Sequence, residues 1–170
     1  MATSVVRGSD DVRIRAAERG DAAELGRLRW DFREHEHERQ PRDDFLGSFD
    51  TWWAGAVESG NWVAAVAEST QGPLVGSIFM ECVHKVPTPG GIHRAWGYVT
   101  NSYVESGSRG RGVGRRLISH LVDAGRARDL EFLIVWPSTE AMSFYARAGF
   151  RSVSAVHAGD DDEPPLELVL

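Results

Sequence analysis

The sequence predicts an α/β protein built on a mixed, mostly antiparallel sheet with helices on both faces. Three observations carry this reading. Residues 62–68, 74–84 and 94–105 are strand-like runs that follow one another closely, separated by Gln71-Gly72-Pro73 and by the turn-rich stretch 87–91, which suits antiparallel hairpins. Residues 112–135 run from a helical pattern into a short apolar strand, which suits a parallel crossover. Helical periodicity appears before the middle strands and again after them, which supplies the helices that a sheet needs on its faces.

The elements follow in order. Residues 12–15 alternate apolar and polar, as a short strand does. Asp21 is a helix cap, and Ala22, Leu25, Leu28 and Phe32 fall at helical spacing behind it. A second helix is expected over residues 44–59, with Phe45, Phe49, Trp52, Trp53 and Val57 as its apolar face and Gly60-Asn61 as its break. The three middle strands come next. A helix follows the glycine-rich stretch 109–114, burying Leu117, Ile118, Leu121 and Val122. Residues 132–135 read as a buried strand, and residues 139–148 as a helix stopped by Gly149. Residues 150–156 and 166–170 are the closing strands, with the acidic loop 160–163 between them.

Bulk properties narrow the function. A chain of 170 residues with 42% hydrophobic and 26% charged residues is expected to form a single domain over residues 1–170, residues 1–11 being a flexible tail, and needs no disulfide or metal to fold. The one cysteine, Cys82, cannot form an internal disulfide and fits a reducing, cytoplasmic setting. No apolar h-region marks the N-terminus and no apolar run spans a bilayer, so neither export nor a membrane partner is expected. A net charge of −6 argues against nucleic acid as a general partner.

One segment departs from that acidic balance. Arg109-Gly110-Arg111-Gly112-Val113-Gly114-Arg115-Arg116 holds four arginines and no acid. It sits between a strand and a helix, where free backbone N–H groups and the helix dipole favour an anion. Glycine permits positive φ and close approach of phosphate oxygens, and arginine adds forked donors. The loop lacks the Gly-Lys-Ser/Thr ending of a Walker loop, and Arg115 stands where the dinucleotide fingerprint needs its last glycine.

The loop does fit Arg-x-x-Gly-x-Gly at Arg109, Gly112 and Gly114. Together with the preceding strand, Tyr98-Val99-Thr100-Asn101-Ser102-Tyr103-Val104, it resembles the central motif of the GNAT superfamily of acyl-CoA N-acyltransferases. Ala141-Met142-Ser143-Phe144-Tyr145-Ala146-Arg147-Ala148-Gly149-Phe150 resembles that family's closing motif, Ala-x-x-x-Tyr-x-x-x-Gly-Phe. The resemblance implies acetyl-CoA as the acyl donor and a primary amine as the acceptor, with direct attack in a ternary complex and no metal. It implies donor contacts from Tyr103, Val104, Arg109, Gly110, Arg111, Gly112, Val113, Gly114 and Arg115, and a contact from Ser138, which stands where the family often has asparagine. It makes Tyr145 the acid that protonates the departing thiolate, a phenol and a thiolate being of comparable basicity. By resemblance, too, a homodimer is expected.

The strand centre differs from many relatives, which carry a carboxylate where this chain has Thr100 and Asn101. Asn101 cannot take a proton but can orient an amine. Glu81, His84 and Glu105 are therefore the candidate bases, with Glu81 carried as the catalytic one. The N–H of Val104 is the expected donor to the thioester carbonyl. The run Glu34-His35-Glu36-His37-Glu38 reads as a solvated helix end or as an acidic lip. Its two histidines fall on opposite sides of a helix and do not converge on a metal. In the family this region flanks the acceptor, so Glu34 joins Asn101 as an acceptor candidate, and with residues 160–163 it favours a cationic amine. Trp30, Trp52 and Trp96 are the tryptophans with a claim on an acceptor pocket. Two other readings stand beside the enzyme: a non-catalytic acyl-CoA-binding module on the same fold, and a regulatory protein that presents the arginine loop to RNA or another polyanion.

Overall fold

The computed structural model describes residues 12–89, 94–153 and 165–170. The N-terminal tail, His93, His157 and the acidic loop 160–163 lie outside the described residues. The chain runs β1 (Val12–Ala16), α1 (Ala22–Phe32), α2 (Arg42–Ser59), β2 (Trp62–Ser69), β3 (Leu74–His84), β4 (Ala95–Val104), α3 (Val113–Arg126), β5 (Phe132–Val135), α4 (Thr139–Arg147), β6 (Arg151–Ser152) and β7 (Leu166–Val169). Among the described residues one seven-stranded sheet has the order β1-β2-β3-β4-β5-β7-β6. Every pairing is antiparallel except β4 with β5, whose parallel register closes the crossover through α3.

Strand alternation sends residues to two cores. One face buries Val63, Ala65, Met80, Val99 and Leu133 against Leu117, Ile118 and Leu121 of α3. The other buries Ala64, Val66 and Phe79 against Leu25 and Leu28 of α1 and Phe49 and Trp53 of α2. Both faces of the central strands are thus covered, which is why β2 and β3 read as nearly continuous apolar runs.

Several boundaries differ from the expectation for physical reasons. Asp21 occupies the N-cap of α1 but makes no side-chain cap bond. Its carboxylate instead accepts both terminal nitrogens of Arg15, at 2.7 and 2.8 Å, and the N–H of Glu18 at 2.7 Å. A bidentate charged pair outcompetes a single cap bond. α2 begins two residues early, after Pro41, because Asp43 and Asp44 suit a first turn. β6 is confined to two residues, since Gly149 and Phe150 belong to the end of α4, and residues 154–156 lie outside the described residues.

Candidate active site

The site is made by two parallel strands that part. β4 pairs with β5 only at Gly97, Tyr98 and Val99, opposite Leu133, Ile134 and Val135. Beyond that point β4 continues to Val104 along β3, while β5 ends and the chain leaves through Trp136, Pro137 and Ser138 into α4. Gly97 permits the close pairing, because a Cβ there would lie 2.6 Å from both Leu133 Cδ2 and Met80 Sδ. The gap beyond it is a cleft of about 1030 Å³, lined by the outer half of β4, the glycine loop, residues 136–138 and the inner face of α4. That volume suits an extended organic ligand.

β4 bulges inside the cleft. Phe79 stands opposite Thr100 and Ser77 opposite Tyr103, so Ile78 alone faces the two residues Asn101 and Ser102. Asn101 takes φ 51°, a left-handed conformation that asparagine tolerates better than most residues. Its Oδ1 accepts a hydrogen bond from Arg29 of α1 at 2.5 Å.

The glycine loop closes one end of the cleft. After a 3-10 turn at Ser106–Ser108, Gly110 and Gly112 adopt φ 74° and 76°, and Gly112 is the N-cap of α3. The space around a Cβ at either glycine is open, and the first N–H groups of α3 have no intrahelical partner. Gly114 is different: a Cβ there would come within 3.1 Å of the Phe144 ring, so this glycine lets α3 and α4 approach. Arg109 donates through Nε to the Val104 carbonyl at 2.8 Å and lies 5.8 Å from the Tyr103 ring centroid. It therefore clasps the loop to the end of β4 as well as lining the cleft.

The closing motif is a helix cap that also sets Tyr145 at the cleft. Phe150 donates its N–H to Tyr145 O at 3.1 Å and Gly149 donates to Ala146 O at 3.1 Å, with Gly149 at φ 99°. This is a Schellman closure, and its usual apolar contact is the Tyr145–Phe150 ring pair at 5.5 Å. The spacing Tyr-x-x-x-Gly-Phe is thus what the cap demands. It leaves Tyr145 4% exposed, against Phe144 at 4.9 Å, and at the wall of the cleft. Burial pushes its phenol up to about 12, against a smaller downward pull from its hydrogen bond with Ser102.

Of the residues expected at the site, Asn101, Tyr103, Val104, Arg109, Gly110, Gly112, Val113, Gly114, Arg115, Ser138 and Tyr145 line the cleft, and Arg111, Glu81 and Glu34 do not. Glu81 pairs in register with Tyr98, a cleft residue, and so shares its face of the sheet. Glu105 is held by Arg27 at 2.7 Å, and His84 lies at the far end of β3. Glu34 lines a neighbouring depression of about 670 Å³ that shares Phe32, Tyr103 and Arg109 with the cleft. His37 stacks on Trp30 at 4.0 Å and donates to its carbonyl at 2.8 Å. Among the described residues no group of three His, Cys, Asp or Glu is arranged to hold a metal, and no helix is long and apolar enough to cross a membrane. Cys82 is buried and burial pushes its thiol up.

Trp30, Trp52 and Trp96 do not reach the cleft: Trp52 packs among Trp53, Trp62 and Phe79, and Trp96 stacks on Phe132. Trp136 does, 53% exposed and edge-on to Tyr98 at 5.5 Å. Sequence reasoning also passed over Ser102, Phe32 and Arg33. Trp136 carried a readable signal, since it follows directly on a buried strand and precedes a proline.

The fold is shared with solved acetyltransferases. A predicted acetyltransferase of Clostridium acetobutylicum, with acetyl-CoA, superposes at a TM-score of 0.69 and 19% identity over 88% of this chain and 96% of that one. Glucosamine-6-phosphate N-acetyltransferase of Arabidopsis thaliana gives 0.66 and 18% over 90% and 100%. In sequence, glucosamine 6-phosphate N-acetyltransferase 1 of Oryza sativa subsp. japonica is 37% identical over 54 residues, about a third of each chain (32% and 33%). The family model for the acetyltransferase (GNAT) family matches residues 22–150, and the chain belongs to that family.

Proposed function

We propose that this protein is an N-acetyltransferase that moves an acetyl group from acetyl-CoA to a primary amine by direct attack in a ternary complex. The observation that carries the reading is the parting of β4 from β5, which opens one cleft onto both the glycine loop and Tyr145. The N–H groups at the start of α3, with Arg115, take the donor's phosphates. The open edge of β4 and Ser138 take its pantetheine arm.

In the reaction the amine nitrogen bonds to the thioester carbon and the C–S bond breaks. The thiolate takes the proton of the Tyr145 hydroxyl, which Ser102 holds in place. The amine's proton passes through water to Glu81, beside Tyr98. The donor to the carbonyl oxygen is the N–H of Val104. Glu105 donates its N–H to Val75 O at 2.9 Å, so by the alternation of an antiparallel ladder the N–H of Val104, opposite Gly76, turns away from β3 toward the open edge of β4. Cys82, buried away from the cleft, supports attack without an acyl-enzyme.

One observation favours the non-catalytic alternative: among the described residues, Glu140 is the only carboxylate that lines the cleft. Calorimetric titration with acetyl-CoA, followed by thiol detection over an amine panel, separates the two. Binding with CoA release supports the enzyme; binding without release by any amine supports the module; no binding by folded protein refutes both.

A further inference from the structure

Two basic side chains near the cleft belong to the end of α1 rather than to the glycine loop. Arg29 and Arg33 are four residues apart, so they stand on one side of the helix. Their guanidinium carbons lie 5.8 and 5.3 Å from the centroid of the Phe32 ring between them. Phe32 and Arg33 line the cleft. Arg29 reaches it through Asn101 at the bulge, to whose amide oxygen it donates.

These two charges are poorly matched. Among the described residues Arg29 makes no ion pair, and its one side-chain hydrogen bond goes to a neutral oxygen. Among the described residues the buried Arg33 Nε has no partner. Glu36 is the nearest relief, and it is divided among Arg33 at 3.2 Å, His35 at 3.4 Å and Arg39 at 3.5 Å. Asp31 and Glu105 are both taken by Arg27. Burial, and then the charge of Arg33, disfavour the charged form of Arg29, and Glu36 offsets only part of this. Both side chains are only half-buried, yet partial burial still favours a matching anion, and like charges one helical turn apart repel.

We propose that the acceptor is a primary amine that also carries a carboxylate or phosphate, and that Arg29 and Arg33 bind this anion on the α1 side of the cleft. The inference rests on the acetyl-transfer reading above and replaces the cationic acceptor expected from the sequence. Either oxyanion suits the forked donors of a guanidinium. Glu34, the acid expected to draw a cation, lines the neighbouring depression instead.

The test measures CoA release with matched acceptors that differ in the anion alone: an α-amino acid against its amide, and an amino sugar phosphate against the amino sugar. We expect kcat/KM at least about tenfold higher for the anionic member of one pair, and the pair that shows it separates carboxylate from phosphate. Arg29→Met should cut that ratio about tenfold, mostly through KM, and Arg29→Lys should recover part of it. Calorimetry with acetyl-CoA reports the donor site of each variant. A wild type that prefers the neutral member of both pairs, or a ratio that Arg29→Met leaves unchanged, overturns the inference while acetyl transfer stands. A folded wild type that binds no acetyl-CoA overturns both.

Discussion

Replacing Tyr145 by Phe removes one oxygen and keeps the ring. The ring is 4% exposed and held between Phe144 at 4.9 Å and Phe150 at 5.5 Å, so the packing survives. The lost hydrogen bond to Ser102 is worth about 0.5–1.5 kcal/mol, and Ser102 lines the cleft, where water can satisfy it. A domain of this size should therefore lose only about 1–6 °C in Tm. The effect on chemistry is far larger. Loss of a positioned general acid costs about 10²–10⁴ in rate, or about 3–5 kcal/mol of barrier. Because burial pushes the phenol up to about 12, the wild-type acid stays protonated throughout pH 6–10. Its ionisation should leave no falling limb in kcat over that range. The assay is thiol release at saturating acetyl-CoA, with calorimetry as the control for donor binding. A variant with kcat within twofold of wild type and equal acetyl-CoA affinity would falsify the acid role of Tyr145.

Gly112→Ala places a side chain at φ 76° in open space. It should cost about 1–2 kcal/mol of stability and weaken acetyl-CoA binding at least about tenfold, read by melting and calorimetry; unchanged affinity would remove the loop from the donor site. Gly97→Ala drives a Cβ to 2.6 Å from Leu133 and Met80. About 1–3 kcal/mol of overpacking should appear in urea unfolding, and a neutral result would mean that β4 and β5 part more readily than described. Arg15 holds the Asp21 carboxyl below its ordinary range. The stability from this pair is in full above about pH 4 and is lost as pH falls through the lowered value. Asp21→Asn should accordingly be about 1–3 kcal/mol less stable at pH 7, with the gap closing toward pH 2; a gap independent of pH would contradict the pairing.

The fold was legible where one kind of signal dominated. The hairpins of β2, β3 and β4 and the parallel crossover through α3 followed from turn residues and from the change of apolar period, and the observed pairing agrees. What escaped was competition between partners. Asp21 looks like a cap in sequence, yet Arg15 of β1 claims its carboxylate, and local spacing contains no term for a strand that packs nearby. Phe150 looks like the start of a strand, yet it completes the α4 cap.

The site was legible in its two motifs and silent between them. Gly112, Gly114, Tyr145 and Gly149 have backbone or contact reasons to be what they are, so their spacing shows in the chain. The bulge has no such mark: residues 94–105 read as one uninterrupted strand, and only the count of residues on β3 reveals the extra one. That single residue changes the chemistry. Without it, β4 would hold a regular ladder with β3 through the cleft. With it, Asn101 turns left-handed toward Arg29, and Ser102 sits against the Tyr145 hydroxyl without a partner on β3. The missing strand carboxylate then takes on a different meaning. Under the proposal of an anionic acceptor, an asparagine that anchors Arg29 at this point leaves the arginine's charge for that anion, whereas a carboxylate in its place would neutralise it.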